Sequence, residues 1–222
     1  YKDGDLVSRT YYNPDTGQKN QVTNYKDGDL VSRTYYNPDT GQIKSKVNYI
    51  DNKLDGESTI WHDNGQIKSK VNYIDDKPAG ESTTWFDNGQ KNEVTNYKDG
   101  GLVSIAYYNP DTGQIFLERN FKDNKPADST TWHDNGQIKS KVNYIDDKPA
   151  GESTTWFDNG QKNEVTNYKD GGLVSIAYYN PDTGQIFLER NFKDNKPADS
   201  TTWHDNGQIK SKVNYKAGKP AG

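Results

Sequence analysis

Apolar and polar residues alternate along this chain in short runs, and clusters of Gly, Pro, Asn and Asp end each run within about ten residues. Between Tyr49 and Asn72 the runs are Glu57–His62 and Ile67–Tyr73, both rich in Thr, Val, Ile, Tyr and Trp. Such residues favour strands, and the breakers make helix a poor reading. Asn64-Gly65 between the runs predicts a two-residue type I′ turn, because both central positions of that turn need positive φ. Asp51–Gly56 then links one hairpin to the next. The Asn-Gly pair recurs as Asn88-Gly89, Asn135-Gly136, Asn159-Gly160 and Asn206-Gly207. In the register set by that turn His62 faces Ile67 and Trp61 faces Lys68. Alternation puts Trp61, Thr59, Glu57, Lys68 and Lys70 on one face. His62, Ile60, Ser58, Ile67, Val71 and Tyr73 take the other, the more apolar of the two.

The pattern is periodic. Units open at Tyr1, Tyr25, Tyr49, Tyr73, Tyr97, Phe121, Tyr144, Tyr168 and Phe192, and a partial unit spans 215–222. They are 24 residues long, or 23 for those opening at Phe121 and Phe192. Residues 73–143 and 144–214 are identical, which marks a recent duplication or deliberate construction. A second unit type, as in Tyr1–Asn24, has a short Asp3-Gly4 connection and a longer hairpin loop, Asn13–Gly17. Two residues are expected to move from one end of the strand to the other. With no linker in sight, residues 1–222 read as one continuous array. Two strands per unit give about 18 strands, and about 4.8 Å per strand gives on the order of 90 Å. Open sheets rarely exceed about ten strands without curling. The expected fold is all-β: an elongated, twisted, single-layer antiparallel array of β-hairpins.

Composition supports a thin sheet. Hydrophobic residues make up 29% of the chain, against roughly 45–50% in ordinary globular domains, so a thick core is not expected. Aromatics at 12% and a net charge of −4 argue against disorder. The 28 basic and 32 acidic residues are interspersed. No positive stripe points to nucleic acid. There is no cysteine, and no apolar run is long enough for a transmembrane segment. The start at Tyr1 and the lack of a visible signal peptide suggest a fragment or processed product.

Gly56-Glu57 through Trp61, then Asn64-Gly65-Gln66 and Lys68, resemble the MORN repeat in its bacterial second variant. Gly80-Glu81 through Trp85, then Asn88-Gly89-Gln90, repeat the match. The resemblance covers essentially the whole chain. The Tyr-Tyr-Asn-Pro-Asp-Thr-Gly units depart from it at the turns, and the units at Phe121 and Phe192 carry Asp128 and Asp199 near the usual Gly-Glu pair. It implies an elongated single-layer hairpin array acting as a scaffold or binding surface. The membrane association in the family's name is not carried over, because the chain lacks a basic surface.

No catalytic centre or cofactor site is read. His62, His133 and His204 lie 71 residues apart, six strands or about 29 Å in a regular sheet, so they cannot converge on a metal or a triad. Asp75/Asp76 and Asp146/Asp147 read as turn residues, and a thin sheet offers no cleft for paired carboxylates. Turns such as Asp51–Asp55 offer oxygen ligands to calcium, without EF-hand or RTX spacing. One surface feature invites a function. Trp61, Trp85, Trp132, Trp156 and Trp203 occupy equivalent positions, and Tyr11, Tyr35, Tyr107 and Tyr178 are expected to continue their row. Cross-strand packing is the first reading of this row. Contact with a polysaccharide or a partner protein is the second. The leading function is structural and non-enzymatic: a spacer, stalk or fibre-forming segment of a secreted or surface protein, self-associating through its sheet edges. A glycan- or protein-binding module and an engineered repeat array are the alternatives.

Overall fold

The computed structural model describes residues 6–216 and 219–220. The openings of the first unit, with Tyr1 and Asp3-Gly4, and part of the partial unit 215–222 lie outside the described residues. The chain divides into two compact units, Tyr1–Gly113 and Gln114–Gly222.

In the first unit the long strands are Ser8–Tyr12, Lys19–Lys26, Asp29–Tyr36, Ile43–Ile50, Gly56–Trp61, Ile67–Ile74, Gly80–Trp85, Lys91–Lys98 and Gly101–Tyr108. In the second they are Ile115–Lys122, Lys125–Trp132, Ile138–Ile145, Gly151–Trp156, Lys162–Lys169, Gly172–Tyr179, Ile186–Lys193, Lys196–Trp203 and Ile209–Lys216. Within each unit every strand pairs antiparallel with its chain neighbours. Two-residue strands, such as Lys53–Leu54 and Lys77–Pro78, fold back beside the inter-hairpin turns. The eighteen long strands match the number the repeat count predicts, and the described residues contain no helix. The all-β hairpin array stands.

The type I′ turn expected at Asn64-Gly65 is not found there. At Asn64-Gly65, the Gly65 N–H donates to the His62 carbonyl (2.9 Å) and the His62 N–H to the Gln66 carbonyl (2.8 Å). The loop is therefore three residues, Asp63-Asn64-Gly65: a type I turn followed by Gly65 in the left-handed region at φ 83°. Only the glycine needs positive φ. The type I′ turns lie between hairpins, at Asp51-Asn52 (φ 49° and 62°), Asp75-Asp76, Asp123-Asn124, Asp146-Asp147 and Asp194-Asn195, and with glycine second at Asp27-Gly28, Asp99-Gly100 and Asp170-Gly171. Asp and Asn tolerate the left-handed region better than other L-residues, which a search for Asn-Gly overlooks.

The odd loop length also changes the pairing at the strand ends. Trp61 pairs with Ile67 rather than Lys68, and a bulge follows before Ile60 meets Ser69 and Thr59 meets Lys70. Ile67 thus lies opposite Trp61, not beside Val71 and Tyr73. Further along the strand the bulge restores the expected register.

One residue, not two, moves between the unit types. Asn24 pairs with Ser32 and Tyr25 with Leu30, leaving one residue bulged. In the Gly-Glu units Lys46 pairs with Thr59 and Tyr49 with Leu54, leaving two. The Asn37–Gly41 loop compensates with one extra residue: the Gly41 N–H donates to the Asn37 carbonyl and the Asn37 N–H to the Gln42 carbonyl, each at 2.8 Å. Units opening at Phe121 and Phe192 combine the one-residue bulge with the three-residue loop. That accounts for their length of 23.

Burial follows strand centres more than faces. Among the described residues the buried apolar ones are Leu30, Val94, Ala106 and Val165, and no large side chain is fully buried. Most buried groups are hydroxyls: Thr23, Ser32, Thr34, Thr59, Thr83, Thr95, Thr154, Thr166 and Ser200. Val94 and Thr95 are consecutive, point to opposite faces, and are 7% and 4% exposed. Small mid-strand side chains are shaded by longer neighbours on both faces. Accordingly Thr59 is 5% exposed while Ile60, on the face expected to be more apolar, is 41% exposed.

Candidate functional site

The register defines which aromatic side chains share a row. Tyr12 pairs with Lys19, Tyr36 with Ile43, Trp61 with Ile67 and Trp85 with Lys91. Trp132, Trp156 and Trp203 pair with Ile138, Lys162 and Ile209, and Tyr179 pairs with Ile186. The row within each unit thus alternates an aromatic with Ile or Lys. Most of the aromatics are half-buried, Tyr12 being exposed. The Lys91 Nζ lies 5.9 Å from the centre of the Tyr108 ring, within cation–π range.

Tyr11, Tyr35, Tyr107 and Tyr178 do not join the tryptophans. Tyr11 and Tyr35 each pair with Gln21, and Tyr35 pairs with Ser45, which meets Ile60. Tyr107 pairs with Glu93, which meets Thr84. Tyr178 pairs with Glu164, which meets Thr155. Each tyrosine therefore falls in the row one residue before the tryptophan position, on the opposite face. The tyrosines in the tryptophan row are the second of each Tyr-Tyr pair: Tyr12, Tyr36, Tyr108 and Tyr179. The unit types differ by one residue rather than the expected two, which puts the second tyrosine of each pair, not the first, in the tryptophan row.

Polar side chains are spent largely on the neighbouring hairpin. Along the hairpin-loop edge, the Asn64 amide donates to the Asp87 carbonyl (2.7 Å) and Asn88 to the Pro110 carbonyl (3.0 Å). Asn135 donates likewise to Asp158 (2.6 Å) and Asn159 to Pro181 (2.9 Å). His62 and His133 donate through Nε2 to the Trp85 and Trp156 carbonyls, each at 2.9 Å. A carbonyl only accepts, so Nε2 carries the proton. These histidines serve the array.

The opposite edge has its own ladder. The Leu54 N–H donates to Asp76 Oδ1 (2.7 Å), and the Leu173 N–H to Asn195 Oδ1 (2.9 Å). Lys53 pairs with Asp75, and Lys125 with Asp146, each at 2.9 Å. The bond from Lys53, then its charge, holds the Asp75 carboxyl below its ordinary pKa. These pairs are largely exposed, so solvent screens them. Two phenols are perturbed by burial: Tyr97 is pushed upward by desolvation and then by Glu93, and Tyr178 by desolvation and then by Glu164. Among the described residues no three His, Asp or Glu side chains are placed to hold a metal ion. The carboxylates of Asp51 and Asp55 thus form no such group.

An open repeat protein of antiparallel hairpins, with side-chain ladders along both loop edges, is the class this geometry defines. The profile of the MORN repeat variant matches residues 54–75, 79–99, 127–146, 150–170 and 198–217. The chain thus carries five tandem MORN repeat variants. Each matched segment holds a three-residue Asn-Gly loop, and the Asn-Pro-Asp-Thr-Gly loops fall outside the matches. No curated protein matches the chain. Among solved structures, S. aureus TarM is 13% identical at a TM-score of 0.32, over 45% of this chain and 21% of that one. Accessory secretory protein 1, 2 and 3 of Streptococcus pneumoniae is 16% identical at 0.21, over 53% and 19%. TcdB2-TccC3 is 12% identical at 0.17, over 88% and 14%. The chain spans about a fifth or less of the length of these proteins, and likeness at such scores carries no argument about function.

Proposed function

We propose that the protein is a non-enzymatic structural repeat array, a spacer or scaffold whose work is to hold its ends and faces in fixed register. The observation that carries this reading is the pair of edge ladders. Asn64, His62 and Asp76, with Asn88, His133, Asn135, Asn159 and Asn195, are committed to bonds with an adjacent hairpin. Groups tied up this way are unavailable for chemistry and stiffen the join between repeats. Sedimentation over a wide concentration range, with scattering on the same samples, tests it. A particle of constant mass supports a spacer. Growth with concentration supports a fibre-forming segment that pairs through its sheet edges. Mass and dimensions that vary among preparations at one concentration contradict a defined scaffold.

A second reading is favoured by the row containing Trp61, Trp85 and Tyr108. Aromatic rings alternating with Lys and Ile on one face suit a polysaccharide or a partner protein. Replacing Trp61, Trp132 and Trp203 with Ala separates the readings. Stability lost with no change in any captured ligand supports structure, whereas ligand lost from a folded chain supports binding.

A further inference from the structure

In two of the type I′ turns the side chain of the second residue has a task. Asp76 (φ 65°) and Asn195 (φ 58°) reach back to the backbone N–H of Leu54 and Leu173. Asp147 (φ 61°) occupies the same place in its turn. The residue it would reach is Pro126, which pairs with Phe121 as Leu54 does with Tyr49. Proline has no N–H to donate, so the carboxylate lacks the donor that Asp76 and Asn195 find. Among the described residues it makes no hydrogen bond or salt bridge, and Lys125, which feels its charge, is engaged by Asp146.

Asp147 instead lines a pocket of about 210 Å³ with Arg119, Phe121, Pro126, Asp128 and Tyr144. Among the described residues the Arg119 guanidinium likewise has no hydrogen bond or salt bridge, including one to Asp147. Asp128 is partly satisfied, accepting from the Asn120 amide at 2.8 Å. The site thus presents an unpaired carboxylate, an unpaired guanidinium and an apolar floor containing two aromatic rings. Unpaired opposite charges beside aromatic surface match a small ligand that carries both charges and an apolar side chain. At roughly 30 Å³ per water, the volume corresponds to several waters and suits a ligand no larger than an amino acid.

We propose that this pocket binds a free α-amino acid with an apolar side chain. The ammonium group sits against Asp147, the carboxylate against Arg119, and the side chain over Phe121 and Tyr144. The chain carries an internal control. Arg190, Phe192, Pro197, Asp199 and Tyr215 repeat the same residues, but the sequence puts Gly218 where Asp147 would recur. One zwitterion site per chain is therefore expected.

The test is titration of the full chain with L-leucine, followed by calorimetry and by the aromatic proton resonances of Phe121 and Tyr144. Controls are 4-methylpentanoate, which lacks the ammonium, and 3-methylbutylamine, which lacks the carboxylate. Saturable binding of one leucine is expected, weaker for each analogue. Asp147→Asn and Arg119→Gln should each weaken it by about tenfold or more, the usual size for losing one charge-assisted bond. Asp199→Asn should leave it unchanged, and circular dichroism confirms that each variant folds. Absence of saturable leucine binding overturns the proposal. So does equal binding of leucine and either analogue, or unchanged affinity in both pocket variants.

Discussion

At the residue scale, identical side chains do different work according to what the next hairpin offers. Asp76 and Asp147 hold equivalent turn positions, but one accepts from Leu54 and the other faces Pro126. Asp76→Ala should lower stability by about 1 kcal/mol, because an N–H loses its acceptor. Asp147→Ala should leave it nearly unchanged, and denaturant melts of both variants check the contrast. The loop glycines are graded in the same way. A methyl at Gly65 meets nothing within 4 Å, so Gly65→Ala carries only the left-handed backbone penalty, about 1–2 kcal/mol. At Gly89, with the same φ of 83°, the methyl comes within 3.0 Å of Gln66 Oε1. Gly89→Ala should therefore be the more destabilising if Gln66 is held in place and equal to Gly65→Ala if its flexible end yields, and paired melts distinguish the two. Tyr97 and Tyr178 give a pH dependence. Their folded pKa values are raised, so the fold favours the neutral phenol. That contribution is complete below the unfolded value of about 10 and is lost as pH rises through the folded values. A Tyr97→Phe, Tyr178→Phe chain should lose less stability than the parent between about pH 9 and pH 11. Thermal melts at intervals across that range are the measurement.

At the element scale, loop length and bulge length trade against each other one residue at a time. The three-residue loop goes with either bulge, so the hairpin tolerates both loops as long as the strands keep alternation. Replacing Asp134-Asn135-Gly136 with Pro-Asp-Thr-Gly, together with His133→Asn, should preserve the sheet signal in circular dichroism. The melting temperature should fall only modestly, since one added loop residue costs little closure entropy. Deleting one residue inside Ile138–Ile145 should do far more damage. It would turn Lys141, Val142 and their neighbours to the wrong faces. If the two changes melt alike, register does not govern this array. Strand existence and repeat length were legible in the sequence from alternation and breakers. Turn type was not: Asn-Gly suits a two-residue turn and a three-residue loop equally, and only the hydrogen bonds at His62 distinguish them. One missed residue then placed Tyr11, Tyr35, Tyr107 and Tyr178 in the wrong row.

At the scale of the whole molecule, stability is spread through nearest-neighbour contacts rather than held in a core. The strands with adjacent buried residues on both faces, Lys91–Lys98 and Lys162–Lys169, should hold the slowest-exchanging amides. The strand Ser8–Tyr12, largely exposed, should exchange early. Hydrogen exchange read by mass spectrometry checks this, and uniform protection across all strands would contradict it. The sequence by itself determined the strands, their number, their antiparallel order and the family of the repeats. Those follow from alternation, breaker residues and period, which are local properties of the chain. Tertiary structure decided which face each aromatic takes, which carboxylates are tied down and which stand free. Those outcomes depend on bulges and on partners some 20 residues away: Asp76 and Asp147 read alike until the residue opposite is found to be Leu54 in one case and Pro126 in the other.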